Sequence, residues 1–362
     1  MKKLIRLSYI LLLAALLFLG GCGKGTPQFA IVCPEPGDCV TCMRDDWRQV
    51  MAENMHKKAE TFPGEKYMDV KGQPNPVVFA WETKLPPPFT LEISRDKDFK
   101  TLERRVVTDD YNAKVYNLEI WRDYCWRVRS GKKCSDTYVF TTQGPIRQIL
   151  VSATGPVNVR DWGGKDIQGG GRTRQGFLYR GTQLQDPFAI DDNGKIVMLE
   201  ELGIRTDLDL RYDNQVKDMT GSPLGPTVKW LHFAINAYNS FEPANKETQF
   251  PLWRDTMRVF ADKDNYPIYF HCWGGVDRTG EVALLLNFLL GVDEEQAFID
   301  YELSSNANFY RSRTIPYLQA WLKNIQAYAP EGTRQEQVEK YLLDIGVTQQ
   351  EIDAIRENLT EK

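Results

Sequence analysis

The sequence has no excess of charge of either sign. Its 45 basic and 49 acidic side chains leave a net charge of −4 at pH 7, whereas a nucleic-acid-binding domain usually carries a basic patch or stripe. It also has no visible internal repeat, and its 42% hydrophobic content is too high for a largely disordered chain. With 362 residues, the chain is long enough for about two or three domains. We therefore expect a folded, multidomain protein that does not bind nucleic acid.

The apolar run near the N-terminus is too short to span a bilayer comfortably. It reads ILLLAALLFL, follows a basic start and precedes LGGC, which is the pattern of a signal peptide at residues 1–22. The small residues that end at Cys22 resemble a bacterial lipobox, and this resemblance implies that the Cys22 thiol receives a diacylglycerol. We expect an exported protein, anchored by lipid to the bacterial cell envelope (outer membrane or periplasmic face). An ordinary secretory signal is the alternative.

No histidine lies at metal-ligand spacing from the C-x-x-C pair Cys39 and Cys42, and there is no second pair of this kind. We therefore predict no metal site here and favour a local disulfide, which an exported chain can keep. Once Cys22 and Cys272 are set aside, an odd number of cysteines remains, so at least one is unpaired or bonds to another molecule. The remaining cysteines are Cys33, Cys39, Cys42, Cys125 and Cys134.

Short strands are predicted for residues 65–145. The segments VVFAW, FTLEIS, KVYNLE, YCWRVRS and TYVFTT follow one another at short intervals, and several alternate apolar with polar residues, as half-buried strands do. FAWE, LEISRDKDF and YCWRVRS also resemble fibronectin type III modules, which implies a small β-sandwich. Residues 23–64, which precede it, are predicted to be a tether with one short helix in DDWRQVMAENMHKKAE.

The pattern changes to alternating strands and helices in residues 146–362. VMLEELGIRTDLDLR predicts a helix, a stop at Gly203 and a strand, and PIYFHC predicts a buried strand that leads into the helix TGEVALLLNFLLG. Beyond residue 294 the chain is predicted to be nearly all helix. Such alternation is typical of an α/β layer architecture. The expected fold is thus an all-β sandwich followed by an α/β domain with a helical C-terminal part.

The segment HCWGGVDRTG, residues 271–280, carries the strongest signal for chemistry. Cys272 lies between a buried strand and a helix, with Gly274 and Gly275 in the loop and Arg278 after it. The glycines allow successive N–H groups to point inward as an anion-binding nest, and the helix N-terminus favours an anion at the same place. Arg278 adds a bidentate grip on two phosphate oxygens. The same field stabilises a thiolate and makes Cys272 a nucleophile.

A second cysteine with the same spacing to an arginine serves as a control. Cys42 and Arg48 enclose no glycine, no strand precedes them, and Asp45 and Asp46 between them would repel phosphate. Spacing alone therefore does not define the site, and the strand–loop–helix context distinguishes Cys272.

HCWGGVDRTG resembles the His-Cys-x5-Arg-Thr/Ser signature of the protein tyrosine phosphatase superfamily. NVRDWGG, GFLYRGTQL, LGIRTDLDLR and the C-terminal VEKYLLDIGVTQQEIDAIRENL look like its bacterial, tyrosine-phosphatase-like branch. The resemblance implies a phosphocysteine intermediate on Cys272, transition-state oxygens held by the loop amides and Arg278, and a Thr279 hydroxyl that helps the thiolate depart. His271 would orient the loop. The implied phosphate-binding loop comprises His271, Trp273, Gly274, Gly275, Val276 and Gly280.

The sequence leaves the general acid open between two aspartates. The larger family takes this acid from a Trp-Pro-Asp loop, and that triplet is absent here. Asp277 lies inside the loop, where the bacterial branch also has an aspartate, and Asp209 lies at the end of a predicted strand. The alternative role is a loop-bracing ion pair for Asp277, and a cap or a salt bridge to Arg211 for Asp209.

Several arginines and tryptophans in or near the family segments are candidates for contact with the substrate. Arg160, Arg180 and Arg211 are candidates for gathering around a phosphorylated substrate, with Arg172 and Arg174 in the same segments. Trp273 and Trp162 are candidates for lining a pocket that holds an aromatic ring, and buried packing is the alternative for Trp162. Phosphoinositide-active members often carry lysine where this chain has Val276, which weakens the case for a lipid headgroup.

The function expected from these observations is cysteine-dependent hydrolysis of phosphate monoesters without metal or other cofactor. The favoured substrate is a phosphotyrosine protein, with dual specificity left open; a small phosphomonoester is the other expected partner class. One alternative is a cysteine phytase, whose pocket should be strongly basic. Another is a non-catalytic phosphate-binding surface lipoprotein, against which the presence of Cys272, Arg278 and Thr279 together argues.

Overall fold

The computed structural model describes residues 28–45, 48, 74–304 and 315–361. The predicted signal peptide with Cys22, the predicted helix of the tether and most of residues 23–64 lie outside the described residues. Within the described residues, no helix is both long enough and apolar enough to cross a membrane.

Nine strands precede residue 145 in the described part of the chain. They are β1 (Phe29–Cys33), β2 (Cys39–Thr41), β3 (Val77–Thr83), β4 (Phe89–Ser94), β5 (Arg104–Thr108), β6 (Asn112–Val115), β7 (Asp123–Ser130), β8 (Lys133–Cys134) and β9 (Tyr138–Gln143). One sheet has the order β1-β3-β6, and the other has the order β2-β9-β7-β4-β5 with β8 on β7. All pairs are antiparallel except β2 with β9.

The two sheets share one hydrophobic core, as packed antiparallel sheets do. Phe89, Leu91 and Ile93 of β4 are fully buried, and Phe79 and Trp81 of β3 pack against the same cluster from the other sheet. The predicted alternation is therefore present in the strands. KVYNLE is extended only as far as Val115, because the chain turns with a positive φ at Asn117. The edge strand β5 was not predicted. The prediction of a tether is wrong for the segments that form β1 and β2, since these strands pair with β3 and β9.

The predicted disulfide between Cys39 and Cys42 is wrong. All six described cysteines are free thiols. Cys39 is exposed in β2, whereas Cys42 is buried just beyond it. Residues three positions apart in extended chain project to opposite faces, so the two sulfurs point apart.

The remaining strands build a five-stranded sheet and a short ribbon. They are β10 (Arg160–Asp161), β11 (Arg172–Thr173), β12 (Leu178–Gly181), β13 (Thr206–Asp209), β14 (Lys229–His232), β15 (Ile268–His271) and β16 (Thr360–Glu361). The sheet order is β10-β12-β15-β13-β14, and β11 pairs with β16. β12, β15, β13 and β14 run parallel, so their carboxyl ends meet at one edge. The predicted strand PIYFHC is β15, at the centre.

Helices cover this sheet and extend beyond it. They are α1 (Asp192–Ile196), α2 (Asp213–Val216), α3 (Pro243–Val259), α4 (Arg278–Leu289), α5 (Glu294–Glu302), α6 (Ile315–Gln326), α7 (Arg334–Asp344) and α8 (Gln349–Leu359). A π-type turn, Val197–Glu201, continues α1, and Gly203 ends it with a φ of +66°. Every residue of α4 is buried, so it forms the centre of the helical layer. The predicted α/β architecture with a helical C-terminal part is present.

Buried polar contacts join the sandwich-like part to the five-stranded sheet. Arg147 donates to the carbonyl of Asn117 (2.6 Å) and to Asp161 of β10 (2.7 Å). The Gln175 side chain accepts from the N–H of Ile120 (3.0 Å) and donates to its carbonyl (2.9 Å). The two parts therefore form a continuous packed body through these contacts.

Candidate active site

The loop between β15 and α4 has a backbone shape that requires glycine at one position. It runs from Cys272 to Asp277, and α4 begins at Arg278. Gly275 has a φ of +67°, and a Cβ added there would lie 2.1 Å from the carbonyl oxygen of Gly181. No L side chain fits at that distance, so the loop can approach the end of β12 only through glycine.

The carbonyl groups of this loop are held on its outer side. Trp273 O accepts from the N–H of Gln183 (3.1 Å). The Asn158 side chain donates to the carbonyls of Gly274 (3.2 Å) and Gly275 (3.3 Å). Arg180 also donates to Gly275 O (2.8 Å). With their carbonyls fixed outward, the peptide units turn their N–H groups toward the loop centre, at the positive end of α4.

Cys272 lies at the base of this loop, with only 2% of its surface exposed. Burial alone would raise the pKa of its thiol, but the charge of Arg278 and hydrogen bonds from the hydroxyl and N–H of Thr279 hold the pKa below its ordinary value. The Thr279 hydroxyl is fully buried and has no geometrically defined hydrogen-bond partner among the described residues, so its proton is available to the Cys272 sulfur. The site thus favours a thiolate.

Arg278 is fixed by groups that follow β13. Its Nη1 donates to Leu210 O (3.2 Å) and to Gln215 Oε1 (3.0 Å), and its guanidinium lies 4.4 Å from the ring centre of Tyr212. Neither oxygen belongs to a carboxylate, so these contacts orient the cation without neutralising it. Arg278 therefore keeps its full charge for an anion in the loop.

His271 ties the loop to the neighbouring strand β13. Its Nε2 lies 2.9 Å from Asp207 Oδ1 and its Nδ1 lies 3.0 Å from Cys272 O. Burial alone would lower the pKa of His271, but the carboxylates of Asp209 and Asp207 hold it above its ordinary value. A protonated ring can donate from both nitrogens, and these two contacts anchor the start of the loop.

The two candidate acids have different surroundings. Asp209 is fully buried and accepts from Arg211 Nε (2.8 Å) and Nη2 (2.5 Å). Burial would raise its pKa, but His271 and Arg211 hold the pKa of Asp209 below the ordinary value. Asp277 is half-buried at the start of α4 and accepts a hydrogen bond from the hydroxyl of Tyr238. This geometry favours Asp277 as the group that exchanges a proton, and gives Asp209 the salt bridge that was its alternative role.

Arg160 and Arg180 lie beneath the loop rather than at its mouth. Both are fully buried, and one carboxylate, Asp300, binds Arg160 Nε (2.6 Å) and Arg180 Nη1 (2.9 Å). Arg211 is likewise buried against Asp209. The expectation that these three arginines contact substrate is corrected by this placement, since each guanidinium is enclosed by protein groups. They position the loop and its neighbouring strands instead.

The charge beneath the loop is positive overall. Lys165 is buried close to Asp300, and its pKa is lowered to about 8, by burial first and also by Arg160 and Arg180. Asp300 thus faces three cations, and the pKa of Asp300 is held far below its ordinary value because these cations outweigh its burial. The excess positive charge lies on the side of the loop where a thiolate and a bound anion would benefit from it.

Aromatic rings flank the loop at the surface. Trp273 is 39% exposed, and its ring meets Phe188 edge to face at 5.2 Å. Tyr212, over Arg278, is 41% exposed. Trp162 is instead fully buried and donates to Ala283 O (3.3 Å), so it belongs to the core. The remaining predicted arginines, Arg172 and Arg174, bind Asp166 and the carbonyl of Thr360, away from the loop.

Several residues of the site were not singled out from the sequence. Asn158 and Gln183 hold the loop from the family segments NVRDWGG and GFLYRGTQL, Asp300 supports it through Arg180, and Gln215 orients Arg278. The predicted loop residue Gly280 lies in α4, where an added Cβ would meet the ring of Tyr301 at 2.7 Å. Among the described residues, no group of three or more His, Cys, Asp and Glu side chains is arranged to hold a metal ion.

Comparisons with known proteins agree with this geometry. Residues 151–361 match the model of the tyrosine phosphatase family. A protein of Cupriavidus necator, named as a candidate tyrosine-protein phosphatase, is 28% identical over 216 residues, which cover 52% of this chain and 76% of that protein. Among solved structures, the core catalytic domain of the PP-IP phosphatase Siw14 from S. cerevisiae, in complex with citrate, covers 42% of this chain and 91% of its own, at 16% identity and a TM-score of 0.28.

A second structure of the Siw14 catalytic core covers 45% of this chain and 95% of its own, at 15% identity and a TM-score of 0.27. The family match spans more than half of the chain, including β10 to β16 and the loop at Cys272. The chain therefore belongs to the tyrosine phosphatase family and is a cysteine-dependent phosphoric monoester hydrolase.

Proposed function

We propose that the protein removes phosphate from phosphotyrosine through a phosphocysteine on Cys272. The observation that carries this proposal is the fixed, uncompensated Arg278 beside a buried thiolate at the N-terminus of α4. A phosphoryl group in the loop would have its oxygens bound by Arg278 and the inward N–H groups, which also hold the transition state.

In the first step, the sulfur of Cys272 attacks phosphorus. The S–P bond forms, the ester P–O bond breaks, and the leaving oxygen takes a proton from the carboxylic acid of Asp277. In the second step, water attacks phosphorus and gives its proton to the Asp277 carboxylate. The S–P bond then breaks, inorganic phosphate leaves, and the hydroxyl of Thr279 stabilises the departing thiolate.

The local charge favours a single phosphate on an aromatic alcohol. Arg160 and Arg180 share the buried carboxylate of Asp300, Arg211 is paired with Asp209, and all three lie inside the protein rather than at the mouth of the loop. Val276 occupies the loop position where phosphoinositide-active members often carry lysine. A pocket for several phosphates needs several available cations. The exposed rings of Trp273 and Tyr212 suit the ring of phosphotyrosine instead.

A substrate panel tests this proposal directly. The chain without its predicted signal peptide is incubated, in the presence of a chelator, with a phosphotyrosine peptide, the matching phosphoserine peptide and inositol hexakisphosphate. We expect the phosphotyrosine peptide to have the highest kcat/KM, and Cys272→Ser to release no phosphate. Dominant turnover of inositol hexakisphosphate would instead indicate a phytase. Binding of these phosphate compounds without any turnover would indicate a non-catalytic phosphate-binding surface protein.

We further propose that residues 65–145, together with β1 and β2, form a fibronectin type III-like module and residues 146–362 the catalytic domain. The paired sheets around one core, to which β1 and β2 belong, support the first part, and the family match supports the second. Limited proteolysis tests these boundaries: cleavage should fall between β2 and residue 65 and leave the chain from about residue 65 intact. Early cleavage inside either part would contradict them.

We also propose that the mature protein is anchored to the cell envelope through lipid on Cys22. The basic start, the apolar run and LGGC support this placement. Labelled palmitate should be incorporated into the protein in growing bacterial cells, and Cys22→Ser should abolish the label and release the protein from the membrane fraction. An unchanged distribution of Cys22→Ser would contradict the anchor.

A further inference from the structure

Tyr238, whose hydroxyl donates to Asp277, comes from a loop with no family motif. Tyr238 lies between β14 and α3, and its backbone has a φ of +68°. Non-glycine residues rarely adopt this conformation, and surrounding contacts must hold it in place. Such backbone conformations often mark functional positions, so the contacts of Tyr238 are informative.

Tyr238 is bound at both its backbone and its side chain. Its N–H donates to Glu281 Oε1 (2.5 Å), and its hydroxyl donates to Asp277 and lies 2.7 Å from the hydroxyl of Tyr301. Glu281 is in the first turn of α4 and is fully buried, as is Tyr301 in α5. The two helices thus fix the loop so that one hydroxyl reaches the active-site carboxyl.

We propose that Tyr238 is a positioning residue for Asp277, and holds its carboxyl group in one orientation at the mouth of the catalytic loop through both proton transfers. This inference rests on the proposed role of Asp277 as the general acid. Asp277 lies at the end of a loop next to a helix start and is half-buried, and the hydrogen bond from Tyr238 restricts the orientation of its carboxyl group. Proton transfer requires the donor within hydrogen-bond reach of the leaving oxygen.

Tyr301 fixes the position of the Tyr238 hydroxyl through their mutual hydrogen bond. Its ring packs against Gly280, where an added Cβ would lie 2.7 Å away, so its own position is set by the close approach of α5 to α4. Burial, Tyr301 and Asp277 together raise the pKa of Tyr238. The Tyr238 hydroxyl therefore keeps its proton and remains a donor to the carboxyl.

Leaving-group dependence distinguishes this role from a general loss of structure. A phenol of ordinary acidity needs a proton as it leaves, whereas p-nitrophenol leaves readily as an anion. The value of kcat/KM reports the first step, in which the leaving group departs, whereas kcat also contains the hydrolysis step that both substrates share. In the full chain, Tyr238→Phe should lower kcat/KM for phenyl phosphate about tenfold, because a displaced catalytic group costs about that much or more. The kcat/KM for p-nitrophenyl phosphate should fall less than about threefold. Asp277→Asn should show the same pattern with a larger loss, of about 10²-fold or more.

Tyr266→Phe is the matched control. Tyr266 is also buried and donates to a backbone carbonyl, that of Phe260 (2.7 Å), but it has no contact with the loop. It should leave the ratio of the two kcat/KM values unchanged. If Asp277→Asn is selective for phenyl phosphate but Tyr238→Phe behaves like Tyr266→Phe, the role of Tyr238 is overturned alone. If Asp277→Asn lowers kcat/KM equally for both substrates, the acid assignment fails and the inference fails with it.

Discussion

Asp300 and Arg180 form a fully buried ion pair, with 2.9 Å between Oδ2 and Nη1, and the same arginine donates to the carbonyl of Gly275 in the catalytic loop. The backbone of the loop is thus tied to a carboxylate of helix α5, more than a hundred residues away from β12. The loop geometry depends on this pair, although neither residue reaches the phosphate site.

Removal of the Asp300 charge should therefore damage both stability and activity. Asp300→Asn leaves Arg160, Arg180 and Lys165 buried without their carboxylate, and an uncompensated buried charge costs about 3–5 kcal/mol. Urea unfolding should show this loss, and kcat/KM should fall as the loop loses its support. Asp166→Asn removes an exposed partner of Arg172 and should change neither quantity appreciably. Equal effects of the two variants would refute the role of Asp300.

Gly275→Ala should abolish activity because the loop backbone has no room for a methyl group. The added Cβ would lie 2.1 Å from Gly181 O, in a residue with a φ of +67°. We expect kcat/KM for p-nitrophenyl phosphate to fall by about 10²-fold or more, because misplaced catalytic groups cause losses of about this size. The control Gly221→Ala has open space around the added Cβ and should retain activity. An active Gly275→Ala would show that the loop tolerates another shape.

Thiolate formation at Cys272 should be visible as alkylation below the ordinary titration range of a thiol. Because its pKa is lowered, iodoacetamide should label Cys272 near neutral pH, and labelling should be lost as the pH falls through the lowered value. Thr279→Ala removes a hydrogen bond to the sulfur and should move this titration to higher pH. Phosphate in the loop should slow the labelling.

Cys42 provides an internal control for the same experiment. Burial raises its pKa to about 11, although Arg147 opposes this shift, so its peptide should remain unlabelled at neutral pH while the Cys272 peptide is modified. Equal labelling of the two peptides, measured by mass spectrometry, would contradict a specifically activated thiol at Cys272.

Trp273 should contribute to substrate binding rather than to chemistry. Its exposed ring, edge to face with Phe188, is placed to meet an aromatic phosphoester. Trp273→Ala should raise KM for a phosphotyrosine peptide about two- to tenfold, since an aromatic pair contributes about 0.5–1.5 kcal/mol. It should leave KM for an alkyl phosphate unchanged. A loss of kcat with both substrates would instead indicate that the ring supports the loop.

The central part of the catalytic fold could be predicted because its signals are local. The apolar run before Cys272 predicts a buried strand, and the apolar segment after Arg278 predicts a helix, and both form as β15 and α4. Gly203 ends its helix, as its position indicates. The nucleophile, the arginine and the glycine turn lie within one segment, so their proximity needs no tertiary information.

The supporting residues could not be predicted because tertiary contacts define their roles. Arg160 and Arg180 carry charge in the sequence, but only the fold shows that both of them pair with Asp300. Asn158 and Tyr238 lie in loops without periodicity. Both are far from the catalytic loop in the sequence, and only the fold brings them into contact with it. Cys39 and Cys42 have a spacing that suits a disulfide, yet extended backbone directs them to opposite faces.

The covalent intermediate on Cys272 is the most direct test of the account. The chain is mixed with a phosphotyrosine peptide, quenched in acid within the first turnover and digested, and phosphorylated peptides are identified by mass spectrometry. We predict a phosphoryl group on the Cys272 peptide of the wild-type chain, and neither this adduct nor phosphate release in Cys272→Ser. Phosphate release by Cys272→Ser, or a phosphoryl group on a different residue, would contradict catalysis through Cys272.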